Sequence, residues 1–276
     1  MFGCSSQPSS EQKTNDASTQ KSAETQQAVD KTTLKSTIDR ASSLDSSQYT
    51  ADSYSSLSDA LANAKAIYEN NSATADEVSR AADDLLTSIN KLNKTFLGTL
   101  ALLSSFEEVS LSGVGDDVID IPCAGIPCII ELTHDGSSNF AVKSIDANGG
   151  SVDLLVNEIG MYSGIVTTYF DSKDSAMLEI NANGNWTATF KPLTSMQKAE
   201  NGSTFTGDNV VYIDEGKLTK IAFSHDGSSN FAVKGVGLNS SKLLVNEIGA
   251  YNGTVAWNQP QSFFVVSADG NWTVSW

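Results

Sequence analysis

The chain is poor in the residues that most often carry chemistry. It has two histidines and three cysteines among 276 residues. Both histidines stand in the same repeated context, and no Cys/His cluster has the spacing of metal ligands. There is no GxSxG elbow and no CxxC redox pair, so the usual signatures of a hydrolase nucleophile and of thiol exchange are missing. A chain with 33 acidic residues always offers two carboxylates, but nothing singles out a glycosidase-like pair. No catalytic residue, metal or cofactor is implied, and the chain does not read as an enzyme.

Long apolar runs are missing as well. The most apolar window, residues 96–103 (FLGTLALL), is far shorter than the roughly 20 residues that span a bilayer. It reads as a buried strand or a helix end. Basic residues are scarce: 17 Lys and Arg against 33 Asp and Glu, a net charge of −16. Residues 1–94 carry 13 acids and 9 bases, and residues 95–276 carry 20 acids and 8 bases. So acidic a surface repels phosphate backbones and excludes nucleic acid as an expected partner.

What is present is a long repeat. Residues 133–143 read THDGSSNFAVK and residues 224–234 read SHDGSSNFAVK, an offset of 225 − 134 = 91. Residues 154–164 (LLVNEIGMYSG) answer residues 243–253 (LLVNEIGAYNG), and residues 182–187 (ANGNWT) answer residues 268–273 (ADGNWT). The period is far above the 20–50 residues of solenoid arrays, so this is a duplicated domain.

The chain opens MFGCSSQPSS. Phe2, Gly3 and Cys4 followed by serines resemble a bacterial lipobox and its Ser-rich tether, which implies lipidation at Cys4 and attachment to a membrane through that anchor. Residues 5–30 are Ser, Gln, Thr and Lys with almost nothing apolar, and they are expected to be a disordered tether. The period then turns helical. Leu34, Ile38, Ala41 and Leu44 mark a first helix. Tyr54, Leu57, Leu61, Ala64 and Ile67 mark a second, with Thr50 a candidate cap. Val78, Ala81, Leu85, Ile89 and Leu92 mark a third, opened by a capping box from Thr74 to Glu77. Three such helices with short loops are expected to make an antiparallel bundle. Tyr49, Thr50 and Ser53, then Leu57, Ala60, Leu61 and Ala64, then Ala73, Thr74, Glu77, Val78, Ala81, Leu85, Ile89 and Leu92 resemble the FIVAR module of Gram-positive-type surface proteins. That resemblance implies a small helical spacer on a protein outside the cell.

From about Thr95 β-branched and aromatic residues rise, and turn signals recur every 8–12 residues. Eight short strands are expected in the first copy, between residues 107 and 190, and the same set between residues 210 and 276. Antiparallel pairing follows, with two tandem β-sandwich domains. The expected division is tether 1–30, helical spacer 31–94, first sandwich 95–193 and second sandwich 194–276. The HDGSSNF and LLVN-IG-Y-G patterns resemble repeats in bacterial lipoproteins and secreted proteins of unassigned function.

Four groups of residues are candidates for a role. Asp135, Ser137 and Asn139 have calcium-loop spacing, but Phe140 stands where that loop needs Gly and no Glu closes it. His134, Asp135 and Asn139, with His225, Asp226 and Asn230, are therefore read as a structural turn. Cys123 and Cys128 enclose four residues, a spacing suited to a hairpin disulfide in an oxidising compartment. The duplication pairs Tyr162 with Tyr251 and Trp186 with Trp272, which marks them as core. Trp257 has no such partner, so Tyr251, Asn252 and Trp257 are the candidate ligand-binding residues. The expected function is a non-catalytic, monomeric surface module for a glycan or a surface protein, on the outer face of the bacterial membrane. The alternatives are a stalk with no ligand of its own and, with the least support, a secreted hydrolase.

Overall fold

The computed structural model describes residues 29–168, 174–214, 218–237, 240–259 and 262–276. Cys4 and the tether up to residue 28 lie outside the described residues.

Helices α1 (Thr32–Ser42), α2 (Ala51–Glu69) and α3 (Ala75–Asn90) pack around one core. It is built from the expected stripes: Leu34, Ile38 and Ala41 meet Leu57, Ala64, Val78, Ala81, Leu85 and Ile89. The capping box is formed, with Thr74 N–H donating to Glu77 Oε2 at 2.8 Å and Glu77 N–H to Thr74 Oγ1 at 3.3 Å. Thr50 holds the N-cap position of α2, but its hydroxyl meets Ser53 Oγ at 2.9 Å instead of a helix N–H.

The apolar run that follows is a short helix, α4 (Phe96–Leu103). Thr95 caps it, its hydroxyl accepting from Gly98 N–H at 3.0 Å. Two hydrogen bonds and a cation–π contact tie the segment between α3 and α4 to the segment before α2: Thr50 N–H to Asn93 O at 2.8 Å, Thr95 N–H to Gln48 O at 2.9 Å, and Lys94 Nζ over the Tyr49 ring at 4.8 Å. Gly98 lies so close to the Gln48 carbonyl that a Cβ there would collide with it.

The first β module contains β1 (Val109–Val114), β2 (Asp117–Asp120), β3 (Cys128–His134), β4 (Asn139–Ile145), β5 (Ser151–Ile159), β6 (Tyr162–Thr167), β7 (Met177–Asn181) and β8 (Asn185–Pro192). A two-residue strand β9 (Gln197–Lys198) leads into the second: β10 (Ser203–Thr206), β11 (Asn209–Ile213), β12 (Lys220–His225), β13 (Asn230–Gly237), β14 (Ser240–Ile248), β15 (Tyr251–Ala256), β16 (Ser262–Ala268) and β17 (Asn271–Ser275). The first module pairs them in sheets β1-β8-β3-β6 and β2-β7-β4-β5. The second repeats this as β10-β17-β12-β15 and β14-β13-β16-β11, with β9 added parallel to β11. Both follow the eight-strand jelly-roll order. In each, the two sheets enclose one core: Phe140, Val142, Leu178, Ile180, Trp186 and Phe190 in the first, Phe231, Val233, Phe264, Val266, Trp272 and Val274 in the second.

A separate cluster joins the modules. Ile129 of β3 and Ile165 of β6 meet Val210, Tyr212, Phe263 and Val265 of the second module, and Phe96 and Leu100 of α4 fill the space with Leu193 and Met196. Helix α4 thus touches the helical part on one side and both β modules on the other. Ser104, just past α4, adds two bonds: its hydroxyl donates to Pro127 O and accepts from Leu193 N–H at 2.9 Å.

Candidate functional site

The strand registers gather the conspicuous turns at one end of each module. His134 lies opposite Tyr162 and Trp186, Val114 opposite Asn185, and Asn139 opposite Ile159. The turns after β1, β3, β5 and β7 therefore share an end, and the second module repeats this with His225 opposite Tyr251 and Asn230 opposite Ile248.

The HDGSSN turns are structural in every polar contact they show. His134 is 3% exposed and its ring stacks on Phe140 at 4.5 Å and 7°. Its Nδ1 lies 2.7 Å from Gly160 O. A carbonyl only accepts, so Nδ1 carries the proton. His225 repeats the arrangement, with Gly249 O at 2.9 Å and Phe231 at 4.5 Å. Asp135 accepts from Asn185 N–H and Nδ2, both at 2.7 Å, and Asp226 from the same groups of Asn271 at 2.7 and 3.0 Å. These bonds, the side-chain one first, hold both carboxyls below the usual carboxylate range. Asn139 Nδ2 donates to Asn181 Oδ1 at 3.0 Å. Gly160 N–H donates to Ser138 O at 2.8 Å and Gly249 N–H to Ser229 O at 2.7 Å. Each turn therefore grips both polar groups of the glycine at the β5–β6 or β14–β15 tip. The Nε2 atoms of both histidines have no hydrogen bond. Asp269 Oδ1 lies 3.3 Å from His225 Nε2, but a lone pair faces it unless the ring takes a second proton. Among the described residues no group of three or more His, Cys, Asp or Glu could hold a metal.

The candidate ligand residues do not form a platform. Trp257 is 4% exposed, packs on Phe264 and donates from Nε1 to Ser262 Oγ at 3.0 Å. The expectation that it faces solvent is corrected: its ring covers Gly235, where a Cβ would strike it, while the first copy has Ser144 there. A glycine inside a strand signals such a close approach, and this was the readable clue. Tyr251 is half-buried against Phe231, and only Asn252 is exposed. Among the described residues, no aromatic side chain is exposed.

Cys123 and Cys128 stand as two buried thiols, hydrogen-bonded to each other. The Cys123 thiol is pushed up because it donates to Cys128, and that bond, helped by Thr168 Oγ1 at 3.3 Å, lowers Cys128.

A group of residues that the sequence did not single out lies where the two modules meet. Tyr162 of the first module donates to Asp208 Oδ2 at 2.7 Å, and Ile165 N–H donates to Asp208 O at 3.0 Å. Asp208 Oδ1 accepts from Ala268 N–H at 2.9 Å within the second module. Burial raises the Asp208 carboxyl, and partial desolvation followed by Asp208 and Asp269 raises Glu158. This contact sets the two turn-bearing ends side by side. They carry Asp116, Asp117, Asp135 and Glu158 in the first module and Asp208, Asp226, Glu247 and Asp269 in the second, with no lysine or arginine in these turns.

Comparison with known proteins agrees with the helical reading: the FIVAR domain model matches residues 30–93. No curated protein sequence matches the chain. Among solved structures, the CUB1-EGF-CUB2 domains of rat MASP-1 align at 6% identity over 61% of this chain and 97% of that one, with a TM-score of 0.20. A conserved protein of unknown function from Pseudomonas aeruginosa PAO1 aligns at 12% identity over 63% and 83%, also at 0.20.

Proposed function

We propose that this is a non-catalytic display protein of the bacterial cell surface, anchored through a lipid on Cys4. The FIVAR module serves as a three-helix spacer, and it carries two tandem β-sandwich domains as a monomeric, braced unit. The observation that carries this reading is the joint at α4. A helix wedged among all three folded parts restricts their relative motion, as a presenting scaffold requires and a flexible chain of domains does not. The turns of the repeat are occupied by their own hydrogen bonds, and the aromatics among the described residues are buried or half-buried and offer no sugar-stacking surface, so a protein partner is favoured over a glycan. The burial of Trp257 favours a second reading, a stalk with no ligand of its own.

Small-angle scattering of residues 29–276 tests the display reading. The expected curve fits one rigid particle, and a curve that requires an ensemble of domain orientations overturns it. Expression with the natural upstream region, followed by mass analysis of the N-terminal peptide, tests the anchor, with diacylated Cys4 expected. In that oxidising compartment Cys123 and Cys128 are expected to pair, each losing a hydrogen to a disulfide oxidant. The bridge stabilises by about 2 kcal/mol because its loop is short. Complete alkylation of unreduced, unfolded protein would exclude it.

A further inference from the structure

Four large apolar side chains stand out as the most exposed among the described residues: Ile248 at 84%, Met161 at 83%, Ile159 at 82% and Val114 at 75%. All four lie at the turn-bearing ends. The strand orders put Val114 and the Ile159–Met161 pair at opposite edges of the first module and Ile248 at an edge of the second, so they are separate apolar points along the turn-bearing ends, a spacing that an extended chain can follow. The tips are also held firmly. Gly160, between Ile159 and Met161, is bound through its N–H by Ser138 O and through its carbonyl by His134, and Gly249 beside Ile248 is bound in the same way by Ser229 and His225. A tip whose backbone is held before binding loses little backbone freedom when a partner arrives.

The charge around the tips selects the occupant. Beside the buried Asp208, the same ends carry seven exposed carboxylates and no lysine or arginine in their turns. A second copy of this chain would bring like charge against like, and so would an anionic bilayer. We infer that the paired turn ends are a docking face for a cationic polypeptide segment with apolar side chains interleaved among its basic residues. This rests on the display reading and names where, and to what, the display module binds.

The test titrates a fluorescent peptide of alternating lysine and leucine into the full chain. Two more peptides run beside it, one alternating lysine and serine, the other alternating glutamate and leucine. The lysine–leucine peptide is expected to bind, more weakly as salt rises from about 50 to about 300 mM. The triple variant I159S/M161S/I248S is expected to lose about tenfold or more in affinity, since anchoring side chains dominate such interfaces. Leu102, exposed on α4 away from these ends, provides the control, and L102S should bind as the parent does. Circular dichroism of the triple variant checks that these exposed changes leave the fold intact. Equal binding by the triple variant overturns the proposal. So does equal binding of the lysine–serine or the glutamate–leucine peptide. Tip-dependent sedimentation with phosphatidylglycerol vesicles, or tip-dependent self-association, also overturns it and assigns the face to a membrane or a second copy. Rigidity is measured separately by scattering, so a failed titration sinks the docking face and leaves the display reading to stand or fall on its own data.

Discussion

Trp257 and Asp208 make the case at the level of single residues. Trp257 was a binding candidate because the first copy has no tryptophan in its place, yet absence from one copy only shows that the copies differ. The ring fills space above Gly235 and Phe264. Trp257→Ala is therefore expected to cost about 3–5 kcal/mol of stability, as truncating a buried aromatic does, read as a fall in the denaturation midpoint. An unchanged midpoint would mean the ring is not packed. Asp208 concerns pH. Its carboxyl is raised by burial, and Glu158 is raised beside it. Carboxyls raised in the folded state contribute stability that is complete below the ordinary range near pH ~4 and is lost as pH climbs through their raised values. Asp135, Asp226 and Asp269 are lowered and run the other way, losing their contribution as pH falls below that range. Asp208→Asn is thus expected to flatten the decline of the melting temperature as pH rises above about 4. A variant with the parent's full decline would place the titration elsewhere.

At the level of elements, regular pattern was legible and irregular pattern was not. The helical stripes and capping box announced α1 to α3, and all eight expected strands of the first module are present with ends shifted by a few residues. Two-fold alternation and turn glycines are local signals, so they survive without tertiary context. Helix α4 has neither period. Phe96 and Leu100 are buried while Leu102 is 70% exposed, because several bodies pack around it at once. The run read only as something apolar and short. Since Phe96 touches both Tyr212 and Phe263, Phe96→Ala should remove about 3–5 kcal/mol from the joint and, in scattering, broaden the distribution of domain orientations. Loss of stability with an unchanged scattering curve would show that the modules are braced by something other than α4.

Viewed whole, the molecule shows why the duplication revealed two modules but hid how they meet. The joint includes positions at which the copies differ in kind. Tyr212 and Val265 of the second module take the places of Asp120 and Glu179 in the first, while their neighbours Val210 and Phe263 answer Val118 and Met177, apolar in both. A fold position that is apolar in one copy and charged in the other marks a face covered only once, and that comparison was available in the sequence. Tyr212→Asp, which gives the second module the first module's residue, is expected to split one calorimetric transition of the β pair into two. A single transition in that variant would show the modules melt together for another reason. On the opposite face the exchange is reversed: Lys220 and Thr254 stand where the first module has Ile129 and Ile165. A third module fused behind the second would find no greasy seat to settle on, so further rounds of gene duplication would lengthen this protein into loosely strung beads instead of a longer rod.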